Sequence, residues 1–590
     1  MARTSQIRQA ALAAAAAEDA PPPEFPSPFV FNNRTPITLV ELRMGRFSGI
    51  IRAKPNWWEK VHDPELVAKW RAEMVERDRV SVDSLWSGEG RFEYGDGEKQ
   101  WPRDPLTDAQ LDYIFAQLKH EADKRDPATG IYAAAVPKVY ESRSLVPADL
   151  KTALVSGVSV LENVPDDKKD WHPGSNEQVL DLVHPSLYCL RIGHSYVRTA
   201  DAPAGASPVH VITEDEYNAQ RPDFEKYRDT DAEYAISPLY QWLPTDFAVS
   251  ETGDVKALSY INNLHPIQHR ALYPAISSIL ARFVPLFEKV LSDTLSPEPP
   301  LAITVDPHSW YNHVPDYSDN GEAADGEMDG WEKWDREMKW PQVPEPEPFS
   351  PTKADGRVEL KLGGRTVQVI VKLANILLTP ERPEYPGGSW HVEGMANEKI
   401  VATGLYYYAS ENITESRLDF RTVVGEGSDN GVWMPYEQSD DKGYNTVYGF
   451  GGGKALNQEL GHIVAEEGKC IAFPNIYQHR VDDFELADRT KPGYRKILCF
   501  FLVDPLTRIM STTDVPPQQA EWSMAEMLRV PAMQGLPVEL FDMVADYATT
   551  GTMSREEAEE HRKGLMAERA NFVVQHNEGV FELEFNMCEH

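Results

Sequence analysis

Two histidines and a glutamate are the residues of this chain whose types and spacing could do chemistry together. His391 and Glu393 stand two apart in GGSWHVEG, so on an extended segment both side chains leave the same face. His479 follows in FPNIYQHRV, just past the apolar run CIAF. Two imidazoles and one carboxylate, with other coordination positions left open, suit a divalent metal that also binds small molecules, and iron(II) and zinc both accept these ligands. His-x-Glu by itself is a common surface pair, and the third ligand is what makes it a constellation. Further on, Gly493-Tyr494-Arg495 opens an apolar strand ending at Asp504. Arg495 has a planar fork that grips a carboxylate through two N–H bonds. Lys496 is its rival, and alternation puts only one of the two inside. The same alternation sets Thr403, Leu405 and Tyr407 on one face of a strand and Tyr406 and Tyr408 on the other. Tyr407 reads equally well as a ligand contact and as a core tyrosine.

Along Lys372 to Asp504 the motifs follow a definite order: His-x-Glu, Thr403-x-x-Tyr-Tyr, Leu418-x-Phe-Arg, Gly468-x-x-x-x-Phe-Pro, His479-x-Val and Gly493-x-Arg. This set resembles the Fe(II)/2-oxoglutarate dioxygenases of the prolyl-hydroxylase type. The resemblance implies a double-stranded β-helix, a form of jelly roll, with His391, Glu393 and His479 as iron ligands. It also implies that Arg495 pairs with the distal carboxylate of 2-oxoglutarate, that Tyr407 is a second contact to it, and that dioxygen is a co-substrate for a reaction that is usually hydroxylation. The formal charges of iron(II), one glutamate, dianionic 2-oxoglutarate and one arginine sum to zero, which suits a buried assembly. One departure is the acid: the common residue in that pattern is Asp, and Glu393 is one methylene longer, as in the clavaminate-synthase-like branch. The larger chain resembles an uncharacterised fungal family catalogued as domain of unknown function 4246, through SYINNLHP, PGGSWHVEG, FPNIYQHRV and STTDVPPQQ. That second likeness names no substrate.

The elements that must position these residues follow from the patterning of the 590-residue chain. The expected class is α+β: a double-stranded β-helix core between a helical N-terminal region and C-terminal helices. Residues 1–34 read as a tail. It is Ala-rich with Arg3 and Arg8, a composition compatible with a mitochondrial transit peptide, and it ends in the Pro-rich PPPEFPSP. Residues 35–295 read as mainly helical, with starts at Asp63-Pro64 and Thr107 and a helix from Pro266 towards Leu291. Residues 296–510 hold the oxygenase core. It carries an acidic, Trp-rich insertion at 316–348, a hairpin made of RVELKL (357–362) and TVQVIVKL (366–373), and strands at 400–408, 416–423, 470–473 and 496–503. Residues 511–590 turn helical, with a Ser554–Glu557 capping box. Trp390, Asn397 and Glu398 could border the site or serve only as structure.

A net charge of −35, from 58 basic and 93 acidic residues, argues against nucleic acid and anionic membrane surfaces as partners. No apolar stretch is long enough to span a bilayer. Four scattered cysteines and no Cys-x-x-Cys pair point to a reducing, intracellular setting, with the cytoplasm expected. The reading favoured by these features is an Fe(II)/2-oxoglutarate-dependent oxygenase acting on a small metabolite or amino-acid derivative. Two rivals remain: an iron(II) oxidase that does not use 2-oxoglutarate, and an inactive jelly-roll scaffold. Substrate and oligomeric state are open.

Overall fold

The computed structural model describes residues 24–86, 99–199, 208–220, 234–318, 330–351, 356–428 and 431–587. Three helices of the N-terminal region, α1 (Leu39–Ala53), α2 (Pro64–Trp86) and α3 (Asp108–Lys124), begin where capping chemistry says they should. Thr38 accepts from the Glu41 N–H, Pro64 opens α2, and Thr107 and Gln110 form a reciprocal capping box. Their apolar stripes meet in one cluster around Phe47, Trp57, Met74, Ile114 and Leu118.

The rest of the molecule is organised by a nine-stranded antiparallel sheet among the described residues. Its strands are β1 (Tyr132–Ala133), β2 (Tyr140–Ser142), β3 (Val179–Val183), β4 (Thr245–Val249), β5 (Val255–Ala257), β6 (Thr366–Leu378), β7 (Ile400–Glu411), β10 (Cys470–Pro474) and β12 (Gly493–Val503). Between β7 and β12 in sequence lie β8 (Arg417–Val423), β9 (Asn457–Val464) and β11 (Gln478–Val481), which form a second sheet in the order β9-β8-β11. The large sheet runs β1-β2-β10-β7-β12-β6-β4-β5, and β3 pairs with the C-terminal half of β6. Among the described residues the two sheets share no strand and close into no barrel; in place of the expected jelly roll, two antiparallel sheets pack face to face.

Two cores sandwich the large sheet. On its outer face Val369, Val371, Phe500, Tyr406 and Tyr408 pack against α4 (Leu272–Leu295), whose buried stripe includes Ile276, Ile279, Phe283 and Phe287. On its inner face Ile370, Leu405, Tyr407, Cys499 and Phe501 meet Leu418, Phe420, Leu460 and Ile463 of the smaller sheet. The approach of α4 to β7 is close enough that a Cβ on Gly404 would lie 2.7 Å from Phe283 Cδ1, which explains a glycine in a central strand. Phe283 is fully buried here, so Phe283→Ala is expected to cost about 3–5 kcal/mol, readable as a lowered denaturation midpoint.

Several expectations need correction. Residues 357–362 form no hairpin strand: the Leu360 N–H donates to Ser292 Oγ and the Leu362 N–H to Glu288, so this segment is tied to α4 by side chains, and β6 pairs with β4 instead. The long helix begins at Leu272, not Pro266, after a run of turns; Pro274 falls in its first turn, where a missing N–H costs little, and Pro285 is carried inside. The region before residue 295 is not only helical, since β1 to β5 join the large sheet. The acidic insertion has a short helix, Gly330–Glu337, after which Trp340 packs on Trp86 and under Lys442; its residues 319–329 lie outside the described residues.

The chain packs from Phe25 onward, earlier than the expected boundary at residue 35, because Phe25 and Phe29 are buried. The expected tail at 1–23 lies outside the described residues. Phe29 and the Pro28 carbonyl engage His576 in helix α5 (Arg555–His576), whose capping box is present as expected. Burial, with Arg421 nearby, outweighs the Pro28 hydrogen bond and pushes the His576 pKa down to about 4. The unfolded chain therefore binds the extra proton first, and stability is lost as pH falls from about 6.5 towards 4. Between pH 7 and 4 the wild type is expected to lose about 3 kcal/mol more than His576→Phe in urea denaturation.

Candidate metal centre

His391 sits on an edge segment that pairs with β11 through two backbone bonds, His391 N to His479 O at 3.1 Å and His479 N to His391 O at 3.0 Å. Directly opposed residues of an antiparallel pair show their side chains on one face, and the two imidazole centroids lie 4.5 Å apart. The segment reaches β11 through Gly387, whose φ is +85° and whose absent Cβ would lie 2.9 Å from the Val481 carbonyl oxygen. Glu393, two residues on, brings Oε1 within 3.3 Å of His479 Nε2 and 3.9 Å of His391 Nε2. Its backbone is clamped by buried Asn475: the Glu393 N–H donates to Asn475 Oδ1 at 2.8 Å and Asn475 Nδ2 donates to the Glu393 carbonyl at 2.9 Å.

The donor chemistry fits a metal. His391 Nδ1 lies 2.8 Å from the Ser389 carbonyl, which can only accept, so the ring proton is held there and the Nε2 lone pair faces the cluster. Burial would raise the Glu393 carboxyl, but the His479 hydrogen bond with His391 and Lys372 outweighs it and holds the pKa at about 2. Desolvation, with His479 alongside, lowers His391 to about 4. Near neutral pH the cluster therefore offers one carboxylate and a neutral His391. His479 packs its ring against Phe473 at 4.9 Å, which fixes its plane.

Arg495 points inward from β12, opposite Ile376 on β6. It is 2 % exposed, donates to Ser416 Oγ, and lies between the rings of Tyr407 (5.5 Å) and Phe484 (5.3 Å). Its Nε has no hydrogen-bond partner, and among the described residues no carboxylate lies within ion-pair distance of it. Lys496 points the other way, to Glu162 at 2.7 Å. Tyr407 faces the inner core and Tyr406 and Tyr408 the outer one, as alternation requires.

Other named residues turn out to be structural. Trp390 alternates away from the triad and lies between Arg421 and Arg480. Asn397 bonds Ser237 and Tyr217, while Glu398 caps the Trp242 N–H and pairs with Arg569, so neither touches the metal ligands. Missed altogether was a second convergence of two histidines and a carboxylate, His172, Asp181 and His184. Its Asp-x-x-His spacing is a faint signal. Lys372 is a stronger one, the single charged residue in the thirteen-residue strand TVQVIVKLANILL.

The chain belongs to the DUF4246 family, described as proteins of unknown function: the family's main domain matches residues 108–526 and its N-terminal domain residues 9–73. No curated protein matches the sequence. Among solved structures the fold has distant likenesses. One is the Fe(II)/α-ketoglutarate-dependent dioxygenase TqaL, at 11 % identity over 46 % of this chain and 71 % of that one, with a TM-score of 0.20. Others are IDO from Bacillus thuringiensis (10 %, 24 % and 46 %, 0.14) and a bsmA homologue from Methylobium petroleophilum (9 %, 28 % and 57 %, 0.14). The chain spans about half the length of these last two.

Proposed function

We propose that this protein is a non-haem Fe(II)/2-oxoglutarate-dependent dioxygenase whose β-core is a double-stranded β-helix. Strand order supports the fold: β6-β12-β7-β10 faces the His391 segment, β11, β8 and β9, which is the interleaved order of two four-stranded halves. His391, Glu393 and His479 would hold the metal on one face, and Arg495 with Ser416 and Tyr407 would receive the far carboxylate of 2-oxoglutarate. The observation that carries the 2-oxoglutarate half is Arg495 itself, a buried guanidinium with no carboxylate partner among the described residues, a costly arrangement unless an anion is meant to join it. Iron(II) with 2-oxoglutarate supplies the activation of dioxygen that turns a C–H bond into C–OH, releasing succinate and carbon dioxide. The chain's own part is to orient the ligands through Ser389 and Asn475 and to keep the chamber dry with Phe473, Phe501 and Tyr407. A net charge of −35 favours a small-molecule substrate over nucleic acid, and free, buried Cys189, Cys470 and Cys499 fit a reducing compartment. Among the described residues no helix is long and apolar enough to cross a membrane.

The test is anaerobic reconstitution with iron(II) and 2-oxoglutarate, followed by visible spectroscopy. The weak metal-to-ligand charge-transfer band of the chelate is expected; its absence at full iron occupancy overturns the proposal.

A further inference from the structure

The inner face of the large sheet continues past β6 onto β3. Opposed residues share a face, so Asp181, which pairs with Ala374, lies on the same face of the sheet as Ala374 and Lys372. Asp181 is 4 % exposed, and one carboxylate oxygen, Oδ2, is held by His172 Nδ1 at 2.8 Å. The other, Oδ1, is buried with no hydrogen-bond partner. Lys372 likewise has no carboxylate within ion-pair distance among the described residues, although Asp181 and Glu393 are both near enough to influence its charge. His184, just past β3, turns its ring towards Trp242 of the inner core. A buried carboxylate oxygen with no hydrogen-bond partner is costly unless a ligand completes it, and the half-buried Lys372 ammonium on the adjoining strand supplies the opposite charge.

Resting on the dioxygenase reading, we propose that Asp181 and Lys372 anchor the primary substrate, and that this substrate is a zwitterion of the amino-acid class, its ammonium on Asp181 Oδ1 and its carboxylate on Lys372. The two protein charges cancel, so a ligand that brings both signs leaves the chamber neutral, whereas an amine or an acid alone would bury a net charge. The other candidate occupant is a second divalent ion on His172, Asp181 and His184. Two features weigh against it. The Ser186 N–H donates to His184 Nδ1 at 3.2 Å, so the lone pair of that nitrogen is already engaged. The Lys372 ammonium, whose charge acts on the same carboxylate, would also repel a dication.

The test uses the full chain loaded with one metal ion and held anaerobically with 2-oxoglutarate. Its probes are the twenty proteinogenic L-amino acids, each beside the amine lacking its α-carboxylate and the acid lacking its α-amine, with binding read by calorimetry. At least one amino acid is expected to bind at least tenfold more tightly than both of its truncated partners. Asp181→Asn should erase the preference over the acid, and Lys372→Met the preference over the amine. These are selective losses that a misfolded protein cannot mimic. Binding by no amino acid, equal binding of a truncated partner, or preferences unchanged in both variants would overturn the proposal. So would a second equivalent of metal that disappears in His184→Ala. Repeating the calorimetry with zinc and without 2-oxoglutarate separates the two proposals: a missing charge-transfer band with intact amino-acid selectivity removes the dioxygenase reading and leaves the anchor.

Discussion

Glu393→Ala is expected to lose iron(II) binding by well over 100-fold and, with it, all turnover. The magnitude follows from what the carboxylate does. It is the single anionic member of the triad, it lies within 3.9 Å of both imidazole nitrogens, and it is ionised far below neutral pH. Changing residues that merely orient metal ligands typically costs about 10–100-fold in metal affinity, and Asn475→Ala, which frees the Glu393 backbone, should fall in that range. Removing the ligand itself must exceed it. Glu393→Asp keeps the charge but withdraws the carboxylate by one methylene, so partial metal retention with a larger loss of turnover is expected. Metal content by mass spectrometry after anaerobic loading, set beside initial rates, decides the matter. Wild-type iron content in Glu393→Ala would mean that the metal binds elsewhere.

The second large effect is at Arg495. Truncating one member of a buried, hydrogen-bonded charge pair costs about 2–5 kcal/mol, so Arg495→Met should weaken 2-oxoglutarate by about 30-fold to several thousandfold. Its signature is that stability moves the other way. Without the co-substrate Arg495 is a buried cation partnered by Ser416 and two aromatic rings, and an apolar side chain of similar length should leave the protein as stable or more so. Wild type, in contrast, should gain about 2.7 kcal/mol from 2-oxoglutarate at 100 times its dissociation constant, and the variant almost none at that concentration. Thermal melts with and without the co-substrate separate these outcomes. If Arg495→Met still turns over at the wild-type co-substrate requirement, the metal-dependent oxidase that ignores 2-oxoglutarate becomes the better reading.

Short-range chemistry made much of this molecule legible from residues alone. Helix starts at Pro64, Thr107 and Ser554 depend on side chains within three positions of the cap, and the inward turn of Tyr407 and Arg495 on the period of two that every strand obeys. His391 and Glu393 share a face for the same local reason. What no spacing could reveal depends on contacts between distant segments. RVELKL has the pattern of a strand, yet its N–H groups are taken by Ser292 and Glu288 of a helix more than sixty residues earlier. Period-two patterning records which side chains want burial; it does not record which partner satisfies the backbone. Asp181, His184 and Lys372 are further examples. Asp181 and His184 lie far from Lys372 in the chain, and only the pairing of β3 with β6 brings their segments together. The sequence by itself singled out His391, Glu393, His479 and Arg495 as candidates, because residue type, alternation and the order of the motifs mark them. Only the tertiary structure decided that His391 and His479 meet across a single backbone bridge, that Arg495 has no carboxylate within ion-pair distance among the described residues, and that β3 sets Asp181 beside the strand carrying Lys372, because each of these is a relation between strands far apart in the chain.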